Sequence, residues 1–141
     1  MIYRINHTKK LQLNELEKFL HDKDATIGLS KASQKAVTRC RAYLDKRLKN
    51  SSEPIYGINT GFGSLCNVII ADDDIEQLQE KLVKSHACGM GEEVPQEIVK
   101  LMLYLKIQSL SYGKSGVQLS TIEHLCDLVN HKIWPVVYQQ G

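Results

Sequence analysis

Apolar and polar positions along the chain recur mostly at helical spacing. Leu16, Phe19 and Leu20 share one face of a segment from Leu11 to His21, where Asn14 and Glu17 make a capping pattern. Ala36, Val37, Cys40, Leu44 and Leu48 continue the period from a Ser30 N-cap to about Lys49, with lysines and arginines opposite. Ile75, Leu78, Leu82 and Val83 predict a helix reaching His86 or Cys88. Asp72, Asp73 and Asp74 suit its start, where negative charge meets the helix dipole, and Gly89 is placed to end it. Ile98, Leu101, Met102 and Leu105 predict the buried stripe of a helix entered at Pro95 and ended by Gly113. Ser120 with Glu123 forms a capping box for a last helix carrying Ile122, Leu125, Cys126 and Val129.

Between these segments the pattern shortens. Ile2 to Asn6 reads as an edge strand, and Ala25 to Leu29 as a loop or short strand. Asn50 to Pro54 is a polar break, Leu65 to Ile70 a short strand or buried loop, and Gly89 to Pro95 a turn. The fold class is therefore mainly α, with about five helices and short strands at most. There is no internal repeat and no low-complexity tract. The apolar run Ile133 to Val137 leads into Tyr138-Gln139-Gln140-Gly141, as expected of a chain cut inside a longer pattern.

One stretch fits neither period. Tyr56-Gly57-Ile58-Asn59-Thr60-Gly61-Phe62-Gly63 is uncharged, glycine-rich and flanked by charged helical segments. Its glycines imply backbone at φ > 0 or a close approach by another group. It lacks the Gly-Lys-Ser/Thr ending of a phosphate loop, and its spacing is not GxGxxG. Taken alone, a structural turn and a loop presenting the Tyr56 hydroxyl to a ligand are equally good readings.

Composition narrows the partners. The 141 residues carry a net charge of +2, which points to neither nucleic acid nor an anionic membrane. No apolar run approaches the roughly 20 residues of a membrane span, and Met1 to Lys10 lacks a signal-peptide core, so the expected compartment is the cytoplasm. Cys40, Cys66, Cys88 and Cys126 form no CxxC pair and read as reduced, buried small hydrophobes.

Other candidate chemistry is sparse. His86, in Ser85-His86-Ala87-Cys88-Gly89, is surrounded by small residues; it is either a ring facing a cavity or a hydrogen-bonded core histidine. The remaining histidines make no HxxxH or HExxH pattern, and consecutive aspartates do not converge on one ion, so no metal is expected. The basic run Lys35, Arg39, Arg41, Lys46, Arg47 and Lys49 fits a solvated helix face better than a phosphate site. No GxSxG motif and no Cys–His pairing supports covalent hydrolysis.

In this order the motifs resemble the aromatic amino acid ammonia-lyases. Tyr56 to Gly63 resembles that family's N-terminal signature, Leu78 to Gly89 its next helix, Leu105 to Val117 the helix and loop that follow, and Trp134 to Gly141 the segment leading into the active-site loop. The resemblance covers roughly Ile55 to Gly141, and residues before about Ser30 add little. Within the family, Ser85-His86 is similar to the histidine-specific members, whereas tyrosine-specific members tend to have His-Leu there and phenylalanine-specific members Phe-Leu.

The resemblance implies the N-terminal helical domain of the ammonia-lyase (fumarase/aspartase-like) fold, truncated and spanning residues 1–141. It implies deamination of L-histidine to urocanate and ammonia, with tyrosine or phenylalanine ammonia-lyase as the alternative. A non-catalytic helical association module is a third reading. The family's electrophile is a methylidene-imidazolone formed from an Ala-Ser-Gly triad, expected just after Gly141 and absent here. By resemblance Tyr56 is the catalytic base on a mobile loop, and Gly57, Asn59 and Gly61 shape that loop. Gly63 and His86 contact the substrate, and full-length members are homotetramers. A phenol with an ordinary pKa near 10 is a poor base at neutral pH, so the chemistry needs both an electrophile and nearby positive charge or oriented donors. Without the triad, the chain alone is expected to be inactive.

Overall fold

The computed structural model describes residues 1–50 and 53–141. Part of the polar break at Asn50–Pro54 therefore lies outside the described residues. The elements run β1 (Ile2–Ile5), α1 (Leu13–His21), β2 (Thr26–Leu29), α2 (Lys31–Asn50), α3 (Ile75–His86), β3 (Met90–Glu93), α4 (Gln96–Leu110), α5 (Leu119–Asn130) and β4 (Tyr138–Gln140). Short 3-10 turns cover Gly63–Leu65 and Asp72–Asp74, the latter opening α3. The architecture is mainly helical, as the period implied. The residues group into two compact units, one of Met1–Arg47 with Glu93–Val137, the other of Leu48–Glu92 with Tyr138–Gly141.

The first unit holds the core. β1 and β2 pair in parallel, Ile2 opposite Thr26 through Ile5 opposite Leu29, with α1 as the crossover between them. Asn130 of α5 serves the backbone of β2: its Oδ1 accepts from Ile27 N–H at 2.7 Å and its Nδ2 donates to Ile27 carbonyl at 3.1 Å. Phe19, fully buried, stacks edge-on against Tyr3 at 5.3 Å and tilts against Tyr104 at 4.7 Å. Ile5, Val37, Ile107, Ile122 and Val129 complete the interior. The buried Ser33 is satisfied, donating to Ile5 carbonyl and accepting from His7 N–H.

Lys100 of α4 closes the end of α1. Its Nζ donates to the carbonyls of Phe19 (2.7 Å), Leu20 (3.2 Å) and Asp22 (3.1 Å), so three ammonium hydrogens meet three acceptors. The same nitrogen lies 4.5 Å above the centre of the Phe19 ring. Burial holds the Lys100 ammonium below its usual pKa, opposed by the charge of Asp22.

Several local expectations shift. α1 starts at Gln12 rather than Asn14, because Glu15 Oε2 closes back on Gln12 N–H at 3.3 Å. α5 is entered from Gln118, whose extended backbone makes it the cap, and Ser120 is already inside the helix. In α4 the buried face is Val99, Leu103, Tyr104 and Ile107, while Ile98, Met102 and Leu105 stay exposed. That helix is apolar on most sides, so spacing alone left its phase open. Leu65, Val68 and Ile69 are exposed and non-strand apart from a single Thr60–Ile69 bridge, so Leu65–Ile70 is not a buried loop. Gly89 does not cap α3, whose C-cap is Ala87; instead an added Cβ at Gly89 would collide with the Tyr138 ring. Gly113 does end the α4 segment, at φ 63° and with no room for a Cβ against the Ala36 carbonyl. All four cysteines are free, but only Cys126 is buried, and burial pushes its thiol up to about 11.

The Phe19 cluster sets the expected cost of disrupting this unit. Phe19→Ala is expected to lose about 3–5 kcal/mol in chemical denaturation, with the midpoint falling and the slope unchanged. A loss under 1 kcal/mol would show that the ring is not the centre of the core.

Candidate active-site loop

In the second unit the backbone of residues 55–70 is held by local hydrogen bonds more than by packing. Asn59 is the hub. Its Oδ1 accepts from Ile55 N–H at 2.7 Å and its Nδ2 donates to Glu53 carbonyl at 3.1 Å. The backbone N–H groups of Ile58 and Asn59 both return to Ile55 carbonyl, at 3.0 and 3.2 Å. The result is a turn that lifts Tyr56 outward. A second set of bonds closes the base: Ile70 N–H to Asn59 carbonyl at 2.9 Å, and Gly61 N–H to Val68 carbonyl at 3.1 Å. Thr60, only 1% exposed, sits inside, its hydroxyl donating to Gly61 carbonyl at 3.0 Å.

The three glycines have different reasons to be there. Gly57 and Gly63 take φ values of 73° and 56°, where a side chain is strained. Gly61 has no such dihedral, but a Cβ there would lie 2.7 Å from Leu65 Cβ and 3.0 Å from Leu65 carbonyl. Gly63 faces open space, with nothing within 4 Å of an added Cβ.

Tyr56 is 64% exposed, and its ring meets Phe62 edge-on at 6.0 Å. The aromatic contact braces a ring that is otherwise mostly exposed. Thr60 and Phe62 were not singled out in the sequence, although both lie inside the motif; their roles depend on burial and ring geometry, which spacing does not carry.

His86 is the last residue of α3 and is exposed, which excludes the core-histidine reading. Its Nδ1 lies 2.8 Å from Leu82 carbonyl and 3.0 Å from Ser85 Oγ, and Ser85 Oγ itself donates to Leu82 carbonyl at 2.9 Å. A carbonyl can only accept, so Nδ1 carries the proton toward Leu82, and in the neutral ring Nε2 is left as an acceptor. The structure thus groups Tyr56, Gly57, Asn59, Gly61 and Gly63 in one loop and fixes His86 on α3 through its own helix. Among the described residues no group of three or more His, Cys, Asp or Glu side chains could hold a metal ion. No described helix is long and apolar enough to cross a membrane.

Comparison with known proteins places this loop in context. A family profile described as aromatic amino acid lyase matches residues 11–141, reaching well upstream of the Ile55 start read from the motifs. A histidine ammonia-lyase of Geobacillus sp. (strain WCH70) is 44% identical over the whole chain, which covers 27% of that protein. The crystal structure of histidine ammonia-lyase from Trypanosoma cruzi superposes with a TM-score of 0.86 at 33% identity, covering all of this chain and 27% of that one. An ergothionase from Treponema denticola superposes at 0.89 with 21% identity, a likeness of fold alone. The chain spans about 27% of the length of the curated relatives it matches over its full length.

The loop's hydrogen bonds make a specific expectation. Asn59→Ala is expected to speed backbone amide exchange at Ile55, Ile58 and Ile70 by about tenfold or more, while Ile27 and Ile107 in the first unit keep their protection. Unchanged exchange at Ile55 would show that Asn59 does not hold the turn.

Proposed function

The chain belongs to the aromatic amino acid lyase family, and on that premise we propose that it is the N-terminal part of a histidine ammonia-lyase, a cytoplasmic enzyme converting L-histidine to urocanate and ammonia. The observation that carries the reading is an exposed Tyr56 on a loop whose shape depends on two left-handed glycines and the Asn59 bonds. That arrangement presents a phenol outward at a defined place. A structural turn would not require its tyrosine to be outside.

In the complete enzyme Tyr56 is the base that takes the β-proton of the substrate onto its phenolate oxygen. The family's methylidene-imidazolone, when present, supplies the electrophile that makes that proton acidic enough to remove. This chain contains no Ala-Ser-Gly, so the atoms of that group come from residues outside it. The open space facing Gly63 and the exposed side of Tyr56 fit the approach of such a group and its substrate to the loop. His86 contributes substrate selection: with Nδ1 committed to Leu82, its Nε2 is free to accept from a donor on the substrate side chain. The four free thiols suit a reducing compartment.

A second reading concerns assembly. Leu65, Val68, Ile69, Val83 and Met90 are all about half exposed or more, which is apolar surface in want of cover. We assign that surface to contacts within the homotetramer of the complete enzyme. Light scattering on the purified chain is expected to give a mass well above its own 16.0 kDa; a monodisperse monomer at high concentration would remove this assignment.

For the chemistry, Tyr56→Phe in the full-length protein is expected to lower kcat for histidine by about 10²-fold or more, followed as urocanate absorbance, with the melting temperature unchanged. A near-normal rate would take Tyr56 out of the mechanism. The 141-residue chain alone is expected to show no turnover.

A further inference from the structure

The two-stranded parallel sheet of the first unit has one edge covered and one edge open. Thr26 N–H donates to Met1 carbonyl at 3.0 Å and Ser30 N–H to Ile5 carbonyl at 2.8 Å, which fixes the residues that face across the pair. Backbone groups alternate between the two edges of a strand, so in β2 those of Ile27 and Leu29 face outward. They are met by side chains: Asn130 takes both groups of Ile27, and Gln34 Nε2 donates to Leu29 carbonyl at 3.4 Å. In β1 the same alternation turns the N–H and C=O of Ile2 and Arg4 away from β2. Among the described residues nothing bonds them.

A groove of about 280 Å³ follows that open edge and is lined by every residue from Met1 to Asn6. Successive side chains of a strand point to opposite faces, so an opening that touches consecutive residues runs along the edge rather than over one face. Leu11 and the buried Tyr104 of α4 give it apolar wall. Arg4, Lys9, Lys10 and Lys18 also line it, all exposed, against one carboxylate, Glu15. A basic residue on an edge strand discourages pairing with neutral or basic strands, but it favours one that carries carboxylates.

We propose that β1 accepts an added strand: an extended, acidic segment of another protein pairs with the backbone of Ile2 and Arg4. Main-chain hydrogen bonds supply the attraction, and the basic rim with its apolar wall selects a sequence that alternates acidic and apolar side chains. Charge also chooses between occupants. A second copy of this chain would bring the same cations to the edge, whereas an acidic segment balances them. β1 has 4 residues, or about 13 Å of strand, so the recognised segment is short.

Three end-blocked pentapeptides test the assignment by amide NMR titration of the purified chain. One alternates valine and glutamate, one alternates valine and lysine, and one is the glutamate peptide with every backbone nitrogen methylated. The glutamate peptide is expected to bind at about millimolar concentration, at least about fivefold more tightly than either of the others. At saturation it is expected to slow amide exchange at Ile2 and Arg4 by about threefold or more, with Ile107 unchanged. Arg4→Pro removes an outward N–H and no bond to β2, so it is expected to hold the melting temperature within about 3 °C and to weaken the glutamate peptide by about fivefold or more. Arg4→Glu keeps the N–H and is expected to narrow the preference for glutamate over lysine by about threefold or more. Failure of the glutamate peptide to bind, equal binding of all three peptides, or unchanged exchange at Ile2 and Arg4 would each overturn the proposal. Self-association of the chain that Arg4→Pro abolishes would overturn it too, by giving the edge to a second copy. None of these outcomes depends on lyase activity, so the proposal stands or falls apart from the role given to Tyr56.

Discussion

The first unit depends on one ammonium group. Lys100 lies about 80 residues from the end of α1, yet its three hydrogens are distributed over three carbonyls there and its charge sits on the Phe19 ring. A helix C-terminus leaves carbonyls without partners, and burying them unsatisfied would cost more than the packing around Phe19 gains. Lys100 removes that conflict. It lets α1 end against α4 with its last carbonyls answered, and it allows Phe19 to be fully buried at the same point. Burial of the lysine lowers its pKa, so the group is held there against its preference for water, with carbonyl dipoles and the nearby Asp22 offsetting the loss. Asn130 performs the same service for β2, meeting the backbone of Ile27 where no further strand does.

The second unit is built on another principle. Within the loop Thr60 and Gly61 are buried, and the surrounding apolar side chains, Leu65, Val68 and Ile69, are out in solvent. Shape comes from backbone dihedrals and side-chain-to-backbone bonds, which are directional but add little net stability in contact with water. A segment of that kind has a defined rest position and a small free-energy cost of opening. Both properties suit the role we propose for Tyr56, a base that must meet a substrate and then release product. A loop fixed by a hydrophobic core would have the first property without the second.

The sequence showed these two units unequally. Helix existence was legible wherever one face was apolar and the other charged, as in α2 and α5. It failed to set the phase of α4, because Ile98, Leu101, Met102, Val99, Leu103 and Ile107 leave no clean polar side; only the position of Phe19 and Ile122 decides which of them face inward. Capping positions moved by two residues at α1 and α5, since Gln12 and Gln118 have extended backbone that their residue type does not advertise. Lys100, Asn130 and Thr60 were invisible, because their value lies in partners far along the chain or in burial. The loop was legible as a motif from its glycines and tyrosine, but local residue types could not choose between a turn and a site. Its order relative to Ser85-His86 and Trp134–Gly141 carries the resemblance on which we propose a site, and the family profile matches residues 11–141.

If His86 meets the substrate as we propose, its tautomer bears on which aromatic amino acid fits best. Leu82 carbonyl accepts from both Ser85 Oγ and His86 Nδ1, so the proton on that ring is held on the helix side. On the proposed reading, the substrate then meets a lone pair at Nε2. An imidazole side chain can offer an N–H to it and a phenol can offer an O–H, but a phenyl ring has nothing to offer. A site whose polar group is left unpaired by the wrong substrate discriminates far more sharply than one that merely loses apolar contact. This argues against phenylalanine more strongly than against tyrosine. On the same reading, the choice between histidine and tyrosine then rests on size, since Ser85 stands where the tyrosine-specific members of the resemblance have a histidine and the phenylalanine-specific members a phenylalanine, and is smaller than either, while His86 stands where both have a leucine.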